Sequence, residues 1–333
     1  MAKRRRSNRS MKMQPAITDL YFKADLSTAT GAGDSRVFVD TAKELSKVNR
    51  RLYEQGRMYA YQGLTFIWKP DAATTVASID VTITTAGNSW AVQNAFVKGK
   101  ALWHQMQDLV LEDNPSIAGK WHDYKIQLHA GQNTARTLSS RDGAGNLVED
   151  GEWILSEYVL PQHEVDPVTG EPLTALTRTA LLIGDDSAAG TRISLLNAYQ
   201  ESRATVQPLA PNVPPGMSTS FFNLLTDSGS QEPELADVIE DENDAPPYST
   251  SNYTGGAINS PRGFKVQYGA ISAAEVDGRV GGFVAPCGLV EIEIKGYRAN
   301  GTEVGFDEMP VIDLLLHVAP GMYKGVAAIP MGQ

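Results

Sequence analysis

The sequence predicts a mainly β protein: two packed antiparallel sheets with long loops, a few inserted helices and a disordered basic arm at the N-terminus. Three observations carry this reading. Roughly eight to eleven short segments rich in β-branched and aromatic residues read as strands, against only two clear helices. Gly-, Pro- and Asp-bearing stretches separate them and read as surface connections. Finally, "MAKRRRSNRSMK" opens the chain with six cations and no acid, although the 333 residues together carry a formal charge of -10.

Residues 1–15 are charged, polar and without periodicity, the signature of a disordered segment. The β pattern begins with "LYFKADL" (20–26) and "RVFVD" (36–40). "TAKELSKVNRRLY" (41–53) places Thr41 and Glu44 at capping-box spacing and Ala42, Leu45, Val48 and Leu52 on one face, so a short helix is expected. "MYAYQGLTFIWK" (58–69) is aromatic and β-branched enough for a strand. "SIDVTITT" (78–85) alternates: Ile79, Val81 and Ile83 face the core, and Asp80, Thr82 and Thr84 face solvent or a neighbouring subunit.

The clearest helix follows, from Ser89 as N-cap to a stop at Asn114-Pro115. Its stripe of Val92, Ala95, Phe96, Gly99, Leu102, Trp103, Met106, Leu109 and Val110 reads as a face packed on a sheet rather than a cofactor site. "YKIQLHA" (124–130), "WILSEYVL" (153–160) and "LTRTALLIG" (176–184) are further strand candidates, and "ISLLNAYQESRA" (193–204) leans to helix. "GFKVQYG" (263–269), "GLVEIEIKGY" (288–297) and "VIDLLLHV" (311–318) complete the set, with Val290, Ile292 and Ile294 opposite Glu291, Glu293 and Lys295. The organisation expected is an arm over 1–15 and one sandwich domain over 16–333, with loop insertions at 139–174 and 207–262.

The search for chemistry narrows the function. A lone cysteine, Cys287, excludes an intrachain disulfide and a cysteine zinc site. No run of 18 apolar residues occurs, so no membrane span is expected, and no apolar stretch follows the basic start as a signal peptide requires. Among His104, His122, His129, His163 and His317 there is no metal-binding spacing; on one strand, His122 and His129 would face opposite ways. "GDDSAAG" (184–190) has the wrong spacing for a hydrolase elbow and reads as a turn. No phosphate-binding loop is present, and no paired carboxylate sits in an apolar context that would tune it for acid–base work. Neither an enzyme, a cofactor nor a metal is expected. The run Glu232, Glu234, Asp237, Glu240, Asp241, Glu242 and Asp244 lacks the alternation and central glycine of a calcium loop and reads as a solvated acidic loop.

The charge distribution is the functional clue. Setting aside Lys3, Arg4, Arg5, Arg6, Arg9 and Lys12 leaves 23 basic against 39 acidic residues, a body of -16. Such a body does not attract a polyanion over its general surface. The six clustered cations neutralise phosphates without reading sequence, and no base-reading module accompanies them. "KRRR" also fits a nuclear address.

The "MAKRRRSNRS" arm, the β-rich body and "DENDAPPYSTSNYTGG" (241–256) together resemble the single-jelly-roll capsid proteins of small icosahedral circular single-stranded DNA viruses of environmental type. The resemblance implies a jelly-roll fold and a structural protein without catalysis. It implies self-assembly of identical copies into an icosahedral shell, with genomic single-stranded DNA held by the six arm cations. The implied location is the virion, with a passage through the host nucleus during assembly. Two other readings stay open: a β-sandwich enzyme or carbohydrate-binding module, and a tailed-phage-type α/β capsid protein whose spine helix would be residues 89–111.

Overall fold

Alternation in the strands decides which surfaces meet. Leu20, Phe22 and Ala24 are fully buried on one strand, Ile79, Val81 and Ile83 on a second, and Ile312, Leu314 and Leu316 on a third. Successive residues of a strand point to opposite faces, so each set gives its sheet one apolar side. The structure, a computed structural model, describes residues 15–26, 35–69, 76–119, 121–160, 176–187, 190–204, 247, 252–275, 277–305 and 308–332. Along the chain run β1 (Asp19–Ala24), β2 (Arg36–Asp40), α1 (Thr41–Asn49), β3 (Arg57–Ile67), β4 (Ser78–Thr85) and α2 (Trp90–Asp113). Next come β5 (Glu157–Leu160), β6 (Leu176–Leu181), β7 (Arg192–Ser194), α3 (Leu195–Ala204) and β8 (Phe264–Ser272). The chain closes with β9 (Asp277–Val280), β10 (Phe283–Pro286), β11 (Leu289–Tyr297), β12 (Ile312–Val318), β13 (Pro320–Tyr323) and β14 (Ala328–Pro330).

The fold is mainly β, as the strand count predicts. One antiparallel sheet has the order β1-β12-β3-β10, with β9 and β14 also paired to β3. The other has the order β2-β11-β4-β8, again antiparallel. Their apolar faces form one cluster that includes Phe22, Tyr59, Phe66, Val81, Ile292 and Leu314. β9 and β10 lie against successive halves of β3, and the chain closes in tightly between them. There Gly63 has φ +146, and a Cβ on it would stand 2.2 Å from the Val280 carbonyl oxygen, so only glycine fits. Cys287 and Gly288, at φ 59 and φ 66, make the left-handed turn that carries the chain from β10 in one sheet to β11 in the other.

The described residues between β4 and β8 build a second layer on the outer face of the second sheet. It holds α2, α3 and the three-stranded sheet β5-β6-β7, in which β6 and β7 are parallel. Its core joins Val92, Phe96, Tyr124, Leu182 and Leu196 to Phe38 and Leu289 of the sandwich. β2 is therefore buried on both faces, with Val37 and Val39 toward one cluster and Phe38 toward the other.

Several local expectations are corrected. The N-cap of α1 is Asp40, whose side chain accepts from the Lys43 amide, so the cap lies one residue before Thr41. The helix stops at Asn49 because Arg50 takes a left-handed φ of 51, which leaves Leu52 exposed. Residues 124–130 form no strand: Gln127 makes an isolated bridge to Leu181 and the chain then bends and turns at 128–130; the Gln127 amide donates to the Ala180 carbonyl, and the Leu182 and Ile183 amides donate back. Thr82 and Thr84 are buried, not solvent-facing. Thr84 sits beside Glu291 in register, and His129 of the second layer covers Glu291. On α2, Ser89 caps as expected, yet Leu102, Leu109 and Val110 are exposed: the layer covers only the first half of the stripe. β9, β10, β13 and β14 are too short to show a period in the sequence.

Candidate functional site: polar groups of the second sheet

Asp40 ends β2 and begins α1, and its carboxylate is the hub of a buried polar network. One oxygen accepts from the Lys43 amide at 3.1 Å; the other accepts from Gln55 Nε2 and Trp153 Nε1, both at 3.0 Å. Gln55 has no exposed surface, and its Oε1 accepts from the Ile126 amide at 2.6 Å. The Gln55 amide in turn donates to Asp123 Oδ2 at 2.8 Å. Glu44, also fully buried, accepts from the Ser140 amide at 2.7 Å and pairs with Lys47 at 3.1 Å. Burial pushes the Asp40 carboxyl up to about 7; the Lys43 amide and the Trp153 indole pull it down, and the charge of Glu44 adds to the rise. The partners lie in α1, in residues 121–126 and in residues 140–153, so the network fastens the second layer to the sandwich.

This gives a pH prediction. A carboxyl with a raised folded-state pKa favours folding when protonated, so its contribution is full below the unfolded value and is lost as pH rises through about 7. Asp40→Asn removes that slope and keeps an oxygen to cap the Lys43 amide, but it puts a donor where Gln55 Nε2 and Trp153 Nε1 need an acceptor, a loss that does not vary with pH. Urea unfolding at about pH 4, 5.5 and 7 should show the variant gaining on the wild type as pH rises, by an amount on the order of a few kcal/mol. A constant difference across that range would mean that the hydrogen bonds fully offset the burial.

A second buried pair joins the layers. His129 Nδ1 accepts from the Gly131 amide at 3.0 Å, so Nε2 carries the proton and donates to Glu291 Oε2 at 2.5 Å. Arg36 Nη1 stands 3.9 Å from the same oxygen, and the Phe38 ring meets the imidazole edge-on. Glu291 does point away from the main core with Glu293 and Lys295, as the alternation predicts, but here that face is roofed. His317, on β12 inside the first sheet, bridges Thr65 of β3 and Asp19 of β1.

Where the second layer ends, the outer face of the second sheet opens into a shallow groove of about 430 Å³. Asp80, Tyr268, Glu293, Lys265, Lys295 and Tyr297 line it. The Tyr268 phenol is held by Asp80, and that hydrogen bond is the main reason it titrates above its ordinary value. Lys265 and Lys295 stand 3.7 Å and 3.8 Å from Glu293, so the groove is charge-balanced rather than basic.

The predicted nucleic-acid contacts Lys3, Arg4, Arg5, Arg6, Arg9 and Lys12 lie outside the described residues, as does the acidic run from Glu232 to Asp244. The end of the segment that carried the resemblance is described. Tyr253 is buried and takes Gln200 Oε1 on its amide, and Gly255, at φ +99, accepts from the Gly184 amide. That turn therefore fixes the insertion against α3 and the end of β6. "GDDSAAG" is a turn at its described residues: Asp186 Oδ1 accepts from the Ser194 amide at 2.7 Å and Ser187 Oγ from the Arg192 amide. Among the described residues no group of three or more His, Cys, Asp or Glu side chains converges as metal ligands, and no helix is long and apolar enough to cross a membrane. Sequence reasoning missed Asp40 and Gln55. An Asp before a helical pattern is a cap signal that was there to be used, whereas nothing in the sequence marks Gln55. Comparison with known protein families, with curated proteins and with solved structures found no match.

Proposed function

We propose that this protein is a self-assembling structural protein of the single-jelly-roll capsid class, enclosing nucleic acid through its basic N-terminal residues. The observation that carries the reading is the nesting of eight strands. Taken in chain order, β1, β2, β3, β4, β8, β9, β11 and β12 pair first with last, second with seventh, third with sixth and fourth with fifth. The remaining pairings, β12 with β3 and β11 with β4, complete two four-stranded sheets. That order supports a jelly roll, two Greek keys wrapped as a folded hairpin. The acidic body and the six cations of residues 1–12 support the division of labour: the bodies form the wall and the cations hold the genome, read here as single-stranded DNA. No catalytic step belongs to this reading, and its location is the virion.

Negative-stain electron microscopy of the purified full-length chain tests it. Closed particles of uniform diameter are expected. A monodisperse small species at all salt and protein concentrations would overturn the proposal.

The carbohydrate-binding alternative has one observation in its favour, the groove in which exposed Tyr268 lies near Tyr297 among carboxylates and lysines. A ring face beside such groups suits a neutral saccharide. Saturable oligosaccharide binding lost in Tyr268→Ala, by a protein that forms no particles, would favour it.

A further inference from the structure

The apolar stripe of α2 runs on past the point where the fold covers it. Trp103 is buried, but Leu109 and Val110 are 65% and 45% exposed. With Met106, Ile154 and Val159 these residues wall an open groove of about 780 Å³, within the range of small-molecule sites. Trp121 and Lys125 also contribute to the wall.

Lys125 is the unusual member. The residue is only 9% exposed, and its ammonium lies 4.5 Å from the ring centroid of Trp121 and 5.0 Å from that of Trp153. The indoles attract the charge but leave its directed N–H donors without an oxygen. Among the described residues no hydrogen-bond acceptor or carboxylate lies within bonding distance of it. Of the carboxylates that act on it, Asp123 is the strongest, and Asp123 is engaged by the Gln55 amide; Asp40 and Glu152 act more weakly. The ammonium tip opens onto the groove, where an incoming carboxylate would replace water as its acceptor.

We propose that this groove binds an acyl-chain carboxylate, its head on the Lys125 ammonium and its chain along Trp103, Met106, Leu109 and Val110. A single ammonium matches a single negative charge. A doubly charged phosphate would meet Glu157 and Asp123 on the same wall. An open trough of Leu, Val, Ile and Met side chains suits a flexible chain better than a flat ring. The proposal is independent of the shell reading.

Isothermal titration of the full-length protein with dodecanoate, dodecanol and acetate tests it. Dodecanoate binds saturably, dodecanol binds about tenfold or more weakly, and acetate gives no signal, because one charge-assisted hydrogen bond is worth at least that factor. Lys125→Met brings dodecanoate down to the level of dodecanol. Val110→Glu, at an exposed site that leaves the fold intact, weakens both. Equal affinity for acid and alcohol, no saturable binding, or full dodecanoate affinity in Lys125→Met overturns the proposal. So does concentration-dependent self-association lost in Val110→Glu without dodecanoate binding, which would give the groove to a second copy of the chain.

Discussion

Val81→Asp is expected to give no soluble folded protein. Val81 lies mid-strand in β4, between Ile294 of β11 and Gly269 of β8, with no exposed surface. Its neighbours in the core are the apolar side chains of both sheets, among them Ile79, Ile83, Ile292 and Phe66. A carboxylate there has no donor and no water, and burying it unpaired costs several kcal/mol, roughly the whole stability of a typical domain. Protonation lessens the electrostatic cost but leaves a polar group and a lost apolar contact. Asp80→Ser, one residue away on the half-buried opposite face, should express and fold, because its main loss is the Tyr268 contact. Soluble fraction and far-ultraviolet circular dichroism of the two variants decide the matter. Folded, assembled Val81→Asp protein would refute the packing of β4.

Deletion of residues 1–12 is expected to leave the fold intact and strip the particle of nucleic acid. The segment stops short of the first described anchor points, where Arg51 donates to the Pro15 carbonyl at 3.0 Å and the Ile17 amide donates to Asn49 at 2.7 Å. Those contacts survive the deletion, so the thermal midpoint should hold. Removing six cations takes away the one dense basic cluster of a chain whose remaining charge is -16. If all six contact single-stranded phosphates, log affinity of the intact chain falls with log salt at a slope of about -4, at roughly -0.7 per contact. Binding should be nearly independent of base sequence, since phosphate contacts carry none of it. Truncated particles should show a clear drop in the ratio of nucleic-acid to protein absorbance. An unchanged ratio would assign the genome to residues of the inner wall and leave the cations another task, such as nuclear import.

Much of the fold was legible because it rests on period. β4 falls at the residues the alternation predicts, and β11 within one residue of them, since a strand with one apolar face places apolar side chains at every second position; β2 falls at the residues of its short apolar run. Helix α2 begins at the expected cap for the same kind of reason. The polar network was less legible. Asp40, Gln55, Asp123 and Trp153 are far apart in the chain, and each has an ordinary local context. Only their convergence makes them a unit, and convergence has no signature in a single strand or helix.

Sequence by itself determined the mainly β class, the faces of the principal strands, the first half of the α2 stripe and the contrast between an acidic body and basic first residues. These follow from local chemistry: side-chain period, capping and net charge act within a few residues or over the whole chain at once. Tertiary structure alone decided which faces are covered. Glu291 and Thr84 stand on what reads as a solvent face, and become interior because residues 121–136 and the helices fold over that half of the second sheet; Thr82 instead borders the open groove, between Glu293 and Tyr268 in register. Leu109 and Val110 read as core and are left in the open because the same layer stops short of them. A hydrophobic or polar pattern states what a surface prefers to touch; how far the neighbouring element extends is set by packing among residues more than a hundred positions apart, and that decides whether the preference is met.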